Sequence, residues 1–125
     1  MDANLKVLVV DDSNIMRKVI IGILNGLGIK GDNIKEASDG CEAVEMAANQ
    51  DLNVILMDWN MPNKLGIDAV REIRASGNKT PILMVTTEGE RTNVITAIQA
   101  GANNYLVKPF NAEDLREKFE QLITV

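Results

Sequence analysis

The stretch Leu5-Lys6-Val7-Leu8-Val9-Val10-Asp11-Asp12-Ser13 decides the architecture. Its apolar run is valine-rich, too short for a helix, and stopped abruptly by two acids. It also lacks the polar alternation of a strand with one wet face, so it reads as a strand buried on both faces, as in parallel sheets. Directly after it, Ile15, Met16, Val19, Ile20, Ile23, Leu24 and Leu27 recur at spacings of one, three and four. That period predicts a helix with one apolar face.

The same strand-then-helix unit repeats along the chain. Asn33–Ala37 is a weaker strand candidate, before a helix from about Cys41 to Asn49 with Ala43, Val44 and Ala47 inward. Asn53-Val54-Ile55-Leu56-Met57 is the next apolar run, ended by Asp58, and Ile67, Val70 and Ile73 mark a third helix. Pro81-Ile82-Leu83-Met84-Val85 gives a fourth strand, with proline at its first residue, where it does least harm. Val94, Ile95, Ile98 and Ala102 suggest a fourth helix, and Tyr105-Leu106-Val107 a fifth strand. Leu115, Phe119, Leu122 and Ile123 close the chain as an amphipathic helix, with Asn111 as its N-cap and Glu113 and Asp114 in its first turn. Strands alternating with helices in this way imply βαβ units and a doubly wound α/β fold, a parallel sheet covered on both faces.

Composition narrows the chemistry. The 125 residues fit one domain, 1–125, with no linker, repeat or low-complexity stretch. A net charge of −5 argues against nonspecific nucleic-acid binding, which needs basic surface. No apolar run approaches the roughly 20 residues of a membrane helix. The start Met1-Asp2-Ala3-Asn4 lacks the basic, apolar pattern of a secretory signal, and one cysteine, Cys41, suits a reducing compartment. A cytoplasmic protein is expected. The chain contains no histidine, which removes the commonest general base, His-dependent nucleophile pairs and His-dependent metal sites. Catalysis has to rest on carboxylates, hydroxyls, lysine and a hard cation.

In parallel sheets, ligands bind beyond the carboxyl ends of the strands, at the switch point in strand order. Those ends carry Asp11 and Asp12, Asp58, Thr86 and Thr87, and Lys108. Each alone could be a helix cap, an Asx turn or a solvated lysine. Together, three acids, a hydroxyl and a lysine at one edge form a site. Two like charges about 4 Å apart repel by roughly 4 kcal/mol at an effective dielectric of 20. Three such carboxylates raise their own pKa values or recruit a cation. All-oxygen ligands favour Mg²⁺, or Mn²⁺ in its place. A carboxylate there can attack phosphorus and form an aspartyl phosphate, with Lys108 and the cation sharing the phosphoryl charge and a threonine hydroxyl donating to it.

The strings Val9-Val10-Asp11-Asp12-Ser13, Met57-Asp58-Trp59-Asn60-Met61-Pro62, Val85-Thr86 and Val107-Lys108-Pro109-Phe110 resemble the receiver domain of two-component response regulators, in the family's order and spacing. Asp39-Gly40-Cys41-Glu42-Ala43 and Ala100-Gly101-Ala102 also resemble family stretches. The likeness implies a flavodoxin-like (βα)5 sandwich with strand order 2-1-3-4-5. The switch-point rule was itself framed on folds that include chemotaxis receivers, so its agreement is not independent.

By resemblance, Asp58 is the phosphoacceptor, and Asp11 and Asp12 are the acidic pair that holds Mg²⁺ together with Asp58 and the Asn60 backbone carbonyl. Thr86 is the switch hydroxyl, Tyr105 the aromatic switch that turns inward with it, Lys108 the phosphate's lysine, and Pro109 a cis-proline. Trp59-Asn60, Glu88 two residues after Thr86, and Tyr105 are similar to the stand-alone chemotaxis members in particular. That likeness implies a phosphoacceptor switch rather than an enzyme, with at most self-catalysed phosphoryl transfer and dephosphorylation, expected as a monomer and phosphorylated by a CheA-like histidine kinase. It would act on a FliM-like flagellar motor switch protein through helix 4, strand 5 and helix 5, and leaves room for a phosphatase. One departure is Leu65 before Gly66, where the family often has aspartate, in the loop that shapes the turn after the acceptor.

Other uses stay open: a phosphorelay intermediate, a phosphate sink for a shared kinase, or an aspartate-nucleophile phosphatase of the haloacid-dehalogenase kind. The last typically shows Asp-x-Asp, whereas Asn60 stands in the second place here. A flavin site would need a hydroxyl-rich loop where Asp11-Asp12 repels phosphate. Gly26-Leu27-Gly28-Ile29-Lys30-Gly31 matches a dinucleotide fingerprint but follows a helix, so it reads as helix termination. Cys41 and most methionines are expected to pack as hydrophobes.

Overall fold

The computed structural model describes residues 2–123. Among them, the strands β1 (Val7–Val10), β2 (Ile34–Ala37), β3 (Val54–Met57), β4 (Ile82–Thr86) and β5 (Asn104–Val107) alternate with the helices α1 (Asn14–Gly26), α2 (Gly40–Asn49), α3 (Gly66–Ala75), α4 (Arg91–Ala100) and α5 (Ala112–Ile123). The strands form one parallel sheet in the order β2-β1-β3-β4-β5. Val7 pairs with Ile34 on one side and Val54 on the other, so the winding reverses between β1 and β3.

Because alternate side chains leave a strand on opposite faces, the sheet sorts its apolar residues into two cores. Leu8, Val10, Ile55, Met57, Ile82 and Met84 face one way, onto Ala43, Ile67, Val70, Ile73 and Ala97 of α2, α3 and α4. Val7, Val9, Val54, Leu56, Leu83 and Val85 face the other way, onto Ile20, Leu24, Leu115 and Phe119 of α1 and α5. β1, β3 and β4 are buried along their whole length, which is why they read as unbroken apolar runs.

Local signals set the helix ends. Ser13 caps α1 by accepting from the Met16 amide at 3.1 Å, and Gly28, at φ 95°, turns the chain after the helix, so the glycine-rich hexapeptide is a terminator. Asn111 accepts from the Asp114 amide at 2.8 Å and its own amide donates back to Asp114, a reciprocal cap worth about 1 kcal/mol.

Three expectations need correction. Cys41 is exposed, because the inner stripe of α2 is Ala43 and Ala47, and Cys41 falls off that stripe. On α1, Ile15 and Val19 are 78% and 47% exposed; the sheet takes Ile20 and Leu24, and the apolar arc is wider than the surface available to it. On α4, Ile95 and Ile98 face solvent while the small Ala97 is buried against the sheet. No helix among the described residues is long and apolar enough to cross a membrane.

Candidate functional site

The carboxyl edge of the sheet brings the expected residues together. Asp11 and Asp58 still belong to the ladder: the Asp11 amide donates to Ala37 O at 3.1 Å and the Asp58 amide to Val10 O at 3.0 Å. Their side chains therefore leave rigid strand ends into the same crevice. One carboxylate oxygen each from Asp11, Asp12 and Asp58 lies within 4.8 Å of the others. Asp11 and Asp58 are buried, at 2% and 7% exposure, and Asp12 stands at the mouth.

Lys108 arrives from β5. Its amide donates to Thr86 O at 2.8 Å, and its ammonium meets Asp11 Oδ2 at 2.7 Å and Asp58 Oδ2 at 3.5 Å. The peptide that follows, Lys108–Pro109, is cis. Burial pushes the Asp58 carboxyl above its ordinary range, and the charge of Asp11 pushes it further. Lys108, the Trp59 amide (2.7 Å from Oδ1) and the Thr86 hydroxyl oppose that rise. One lysine against three carboxylates leaves negative charge to be neutralised. An all-oxygen donor set with this surplus fits a hard divalent cation.

Thr86 is fully buried, and its hydroxyl accepts from the Glu88 amide at 3.4 Å. Tyr105 lies inward, its hydroxyl donating to the Glu88 carbonyl. The Glu88 carboxylate in turn accepts from Asn60 Nδ2 at 2.6 Å and from Asn93 Nδ2 at 3.3 Å. One residue thereby ties the turn after Asp58 to β5 and to the start of α4. In the sequence Glu88 showed only as a subgroup likeness, since nothing in local spacing reports a bond across 28 residues.

Tyr105 is the one tyrosine of the chain, and burial, reinforced by the charges of Glu88 and Asp58, pushes its phenol up to about 12. Folding favours the neutral ring, so its contribution to stability is complete below the ordinary pKa of 10.0 and is lost as pH rises through about 12. Phenolate absorbance is expected to appear only near the upper value in the folded protein. Titration near 10.0 would mean that the ring spends its time outside.

Two glycines close the back of the site. A Cβ on Gly66 would stand 1.7 Å from the Asp58 carbonyl oxygen, and the Gly66 amide donates to Trp59 O at 2.8 Å. A Cβ on Gly40 would stand 2.6 Å from the Lys64 carbonyl oxygen. Leu65 occupies the N-cap of α3 in extended conformation and makes no side-chain cap bond. Leu65→Asp is expected to raise stability by about 1 kcal/mol in a thermal melt by capping the helix; an unchanged melt would mean that the first amides of α3 gain nothing from the new carboxylate.

The model of the response regulator receiver domain matches residues 7–120. The chain belongs to this receiver family. Among similar receiver proteins, chemotaxis protein CheY1 of Helicobacter pylori is 47% identical over 122 residues, 95% of this chain and 97% of that protein. The structure of Vibrio cholerae chemotaxis protein CheY4 superposes with a TM-score of 0.86 at 36% identity, covering 97% of this chain and all 100% of that one. The receiver domain of a Pseudomonas aeruginosa sensor histidine kinase matches with a TM-score of 0.87 at 34% identity, over 98% of this chain and 100% of that one, and it holds a magnesium ion in its active site cleft. Receiver domains act as phosphoacceptor switches, and the acidic cluster found here is of the kind that binds Mg²⁺ in them.

Proposed function

We propose that this chain is a chemotaxis response regulator in which Asp58 accepts a phosphoryl group from a phosphohistidine on a partner kinase. The observation that carries the reading is the convergence of Asp11, Asp12, Asp58 and Lys108 at the carboxyl edge of the sheet. A carboxylate oxygen of Asp58 attacks phosphorus, the P–N bond to the donor imidazole breaks, and that imidazole leaves with a proton from solvent. The product is a mixed anhydride on Asp58. Lys108 stands close enough to Asp58 to share the charge of the incoming group, and the Thr86 hydroxyl faces the same carboxyl. Asp11, Asp12, Asp58 and the Asn60 backbone carbonyl would hold Mg²⁺, which supplies further positive charge to the phosphoryl oxygens.

Thr86, Glu88 and Tyr105 form the connection from this pocket to α4 and β5. A change at Thr86 biases that connected unit, and with it the surface of α4, β5 and α5, where Ile95, Ile98 and Val107 are exposed. The chemotaxis relatives, matched over nearly their whole length, support a flagellar motor switch protein as the reader of that surface.

Incubation with a phosphorylated chemotaxis histidine kinase tests the reading. Label is expected to move to the wild-type chain, one phosphoryl group per molecule, and not to Asp58→Asn. Failure of transfer, or sustained turnover on simple phosphate esters, would overturn it.

A further inference from the structure

The turn after Asp58 is held from a side that takes no part in the pocket. Asp39, 9% exposed at the N-terminus of α2, accepts from the Glu42 amide at 2.8 Å with one oxygen and from Asn63 Nδ2 at 2.6 Å with the other. Asn63 is the only non-glycine residue with positive φ, at 68°, among the described residues. Asparagine tolerates this left-handed region better than most residues; here the Lys64 amide donates to Pro62 O at 2.7 Å across it, and the bond to Asp39 ties its side chain to α2. Beside it, Gly40 brings the backbone of α2 against that of Lys64. α3 offers no side-chain cap at Leu65 that could do the same work. The turn therefore hangs from α2 through Asn63 and from Asp58 through Gly66, while the Asn60 side chain is tied to Glu88 on the pocket side.

We propose that Asp39 and Asn63 are a positioning pair for phosphoryl transfer, which fixes the backbone of the turn containing Asn60 by a hydrogen bond outside the pocket. The inference rests on the reading of Asp58 as phosphoacceptor and of Asn60 as a cation ligand. A backbone carbonyl has no rotamer of its own; only the dihedrals of its turn aim it. A bond that selects those dihedrals therefore acts on cation affinity without touching the cation, as outer-shell partners of metal ligands do.

Asn63→Asp sets two carboxylates face to face, and Asn63→Gly deletes the bond while still tolerating positive φ. The exchange Asp39→Asn with Asn63→Asp restores the bond with donor and acceptor reversed and keeps an Asx cap on α2. Asn78→Ala, which loses bonds to Ala47 O and Thr80 away from the site, controls for stability alone. Mg²⁺ affinity is read from Trp59 fluorescence, phosphoryl transfer from acetyl phosphate by the mass gained on Asp58, and loop order from exchange of the Gly66 amide in metal-free protein.

Asn63→Asp is expected to weaken Mg²⁺ binding about tenfold and to speed that exchange, Asn63→Gly to shift both in the same direction, and the reciprocal exchange to restore both. Asn78→Ala is expected to move neither. Wild-type values in both single variants, or failure of the reciprocal exchange to restore them, overturn the positioning role alone. A wild-type chain that takes up neither Mg²⁺ nor a phosphoryl group overturns the reading of Asp58 and this inference with it.

Discussion

Gly66→Ala is expected to lose about 3 kcal/mol or more of stability and to melt roughly 10 °C below wild type. The cause is contact: the new methyl would stand 1.7 Å from the Asp58 carbonyl oxygen and 2.8 Å from the carbonyl carbon. Neither partner is the far end of a flexible side chain. Asp58 is fixed in the sheet by its amide bond to Val10, and Gly66 opens α3, whose Ile67, Ala69, Val70 and Ile73 are all buried. Relief requires lifting α3 off the sheet or bending the end of β3. Bending β3 displaces Asp58, and lifting α3 pulls on the turn between them, so phosphoryl acceptance is expected to fall together with the melting temperature. A variant within about 1 kcal/mol of wild type would mean that β3 and α3 separate at little cost.

Lys108→Met carries the other large effect. Among the described residues, Lys108 is the cation within 4.0 Å of the buried Asp11 and Asp58 carboxylates, while Arg17 reaches the Asp11 backbone carbonyl and the side chains of Glu36 and Asn14. Removing one partner from a buried charged group costs roughly 3 kcal/mol or more. Without Mg²⁺ the variant is expected to lose about that much, and added Mg²⁺ is expected to raise its melting temperature by more than it raises that of wild type. The rate of phosphorylation by acetyl phosphate is expected to fall about 100-fold, the usual loss when one preorganised donor to a developing charge is removed. An unchanged rate at saturating Mg²⁺ would take Lys108 out of the transfer step.

The sequence makes the pocket easy to read and its supports hard. Asp11, Asp58, Thr86 and Lys108 each follow an apolar run, and parallel strands must end on one edge, so spacing alone predicts their meeting. The buried length of β1, β3 and β4 is legible for the same reason, because a strand covered on both faces has no polar alternation to blur it. Which flank of a helix meets solvent is another matter. Ile95 and Ile98 lie within the helical period yet are exposed, because the small Ala97 sets how α4 rests on the sheet. The bonds between Asn60 and Glu88 and between Asp39 and Asn63 span 28 and 24 residues, and neither leaves a periodic trace. Pro62-Asn63 is a turn signal in the sequence, but the tight approach at Gly66 is a consequence of packing, visible only once the elements are in place.

The most direct measurement is the intact mass of the protein after incubation with acetyl phosphate, with and without Mg²⁺, beside Asp58→Asn. Phosphorylation of Asp58 requires a gain of one phosphoryl group in the wild-type chain, dependent on Mg²⁺ and absent from the variant. No gain in the wild type, or an equal gain in Asp58→Asn, would contradict it.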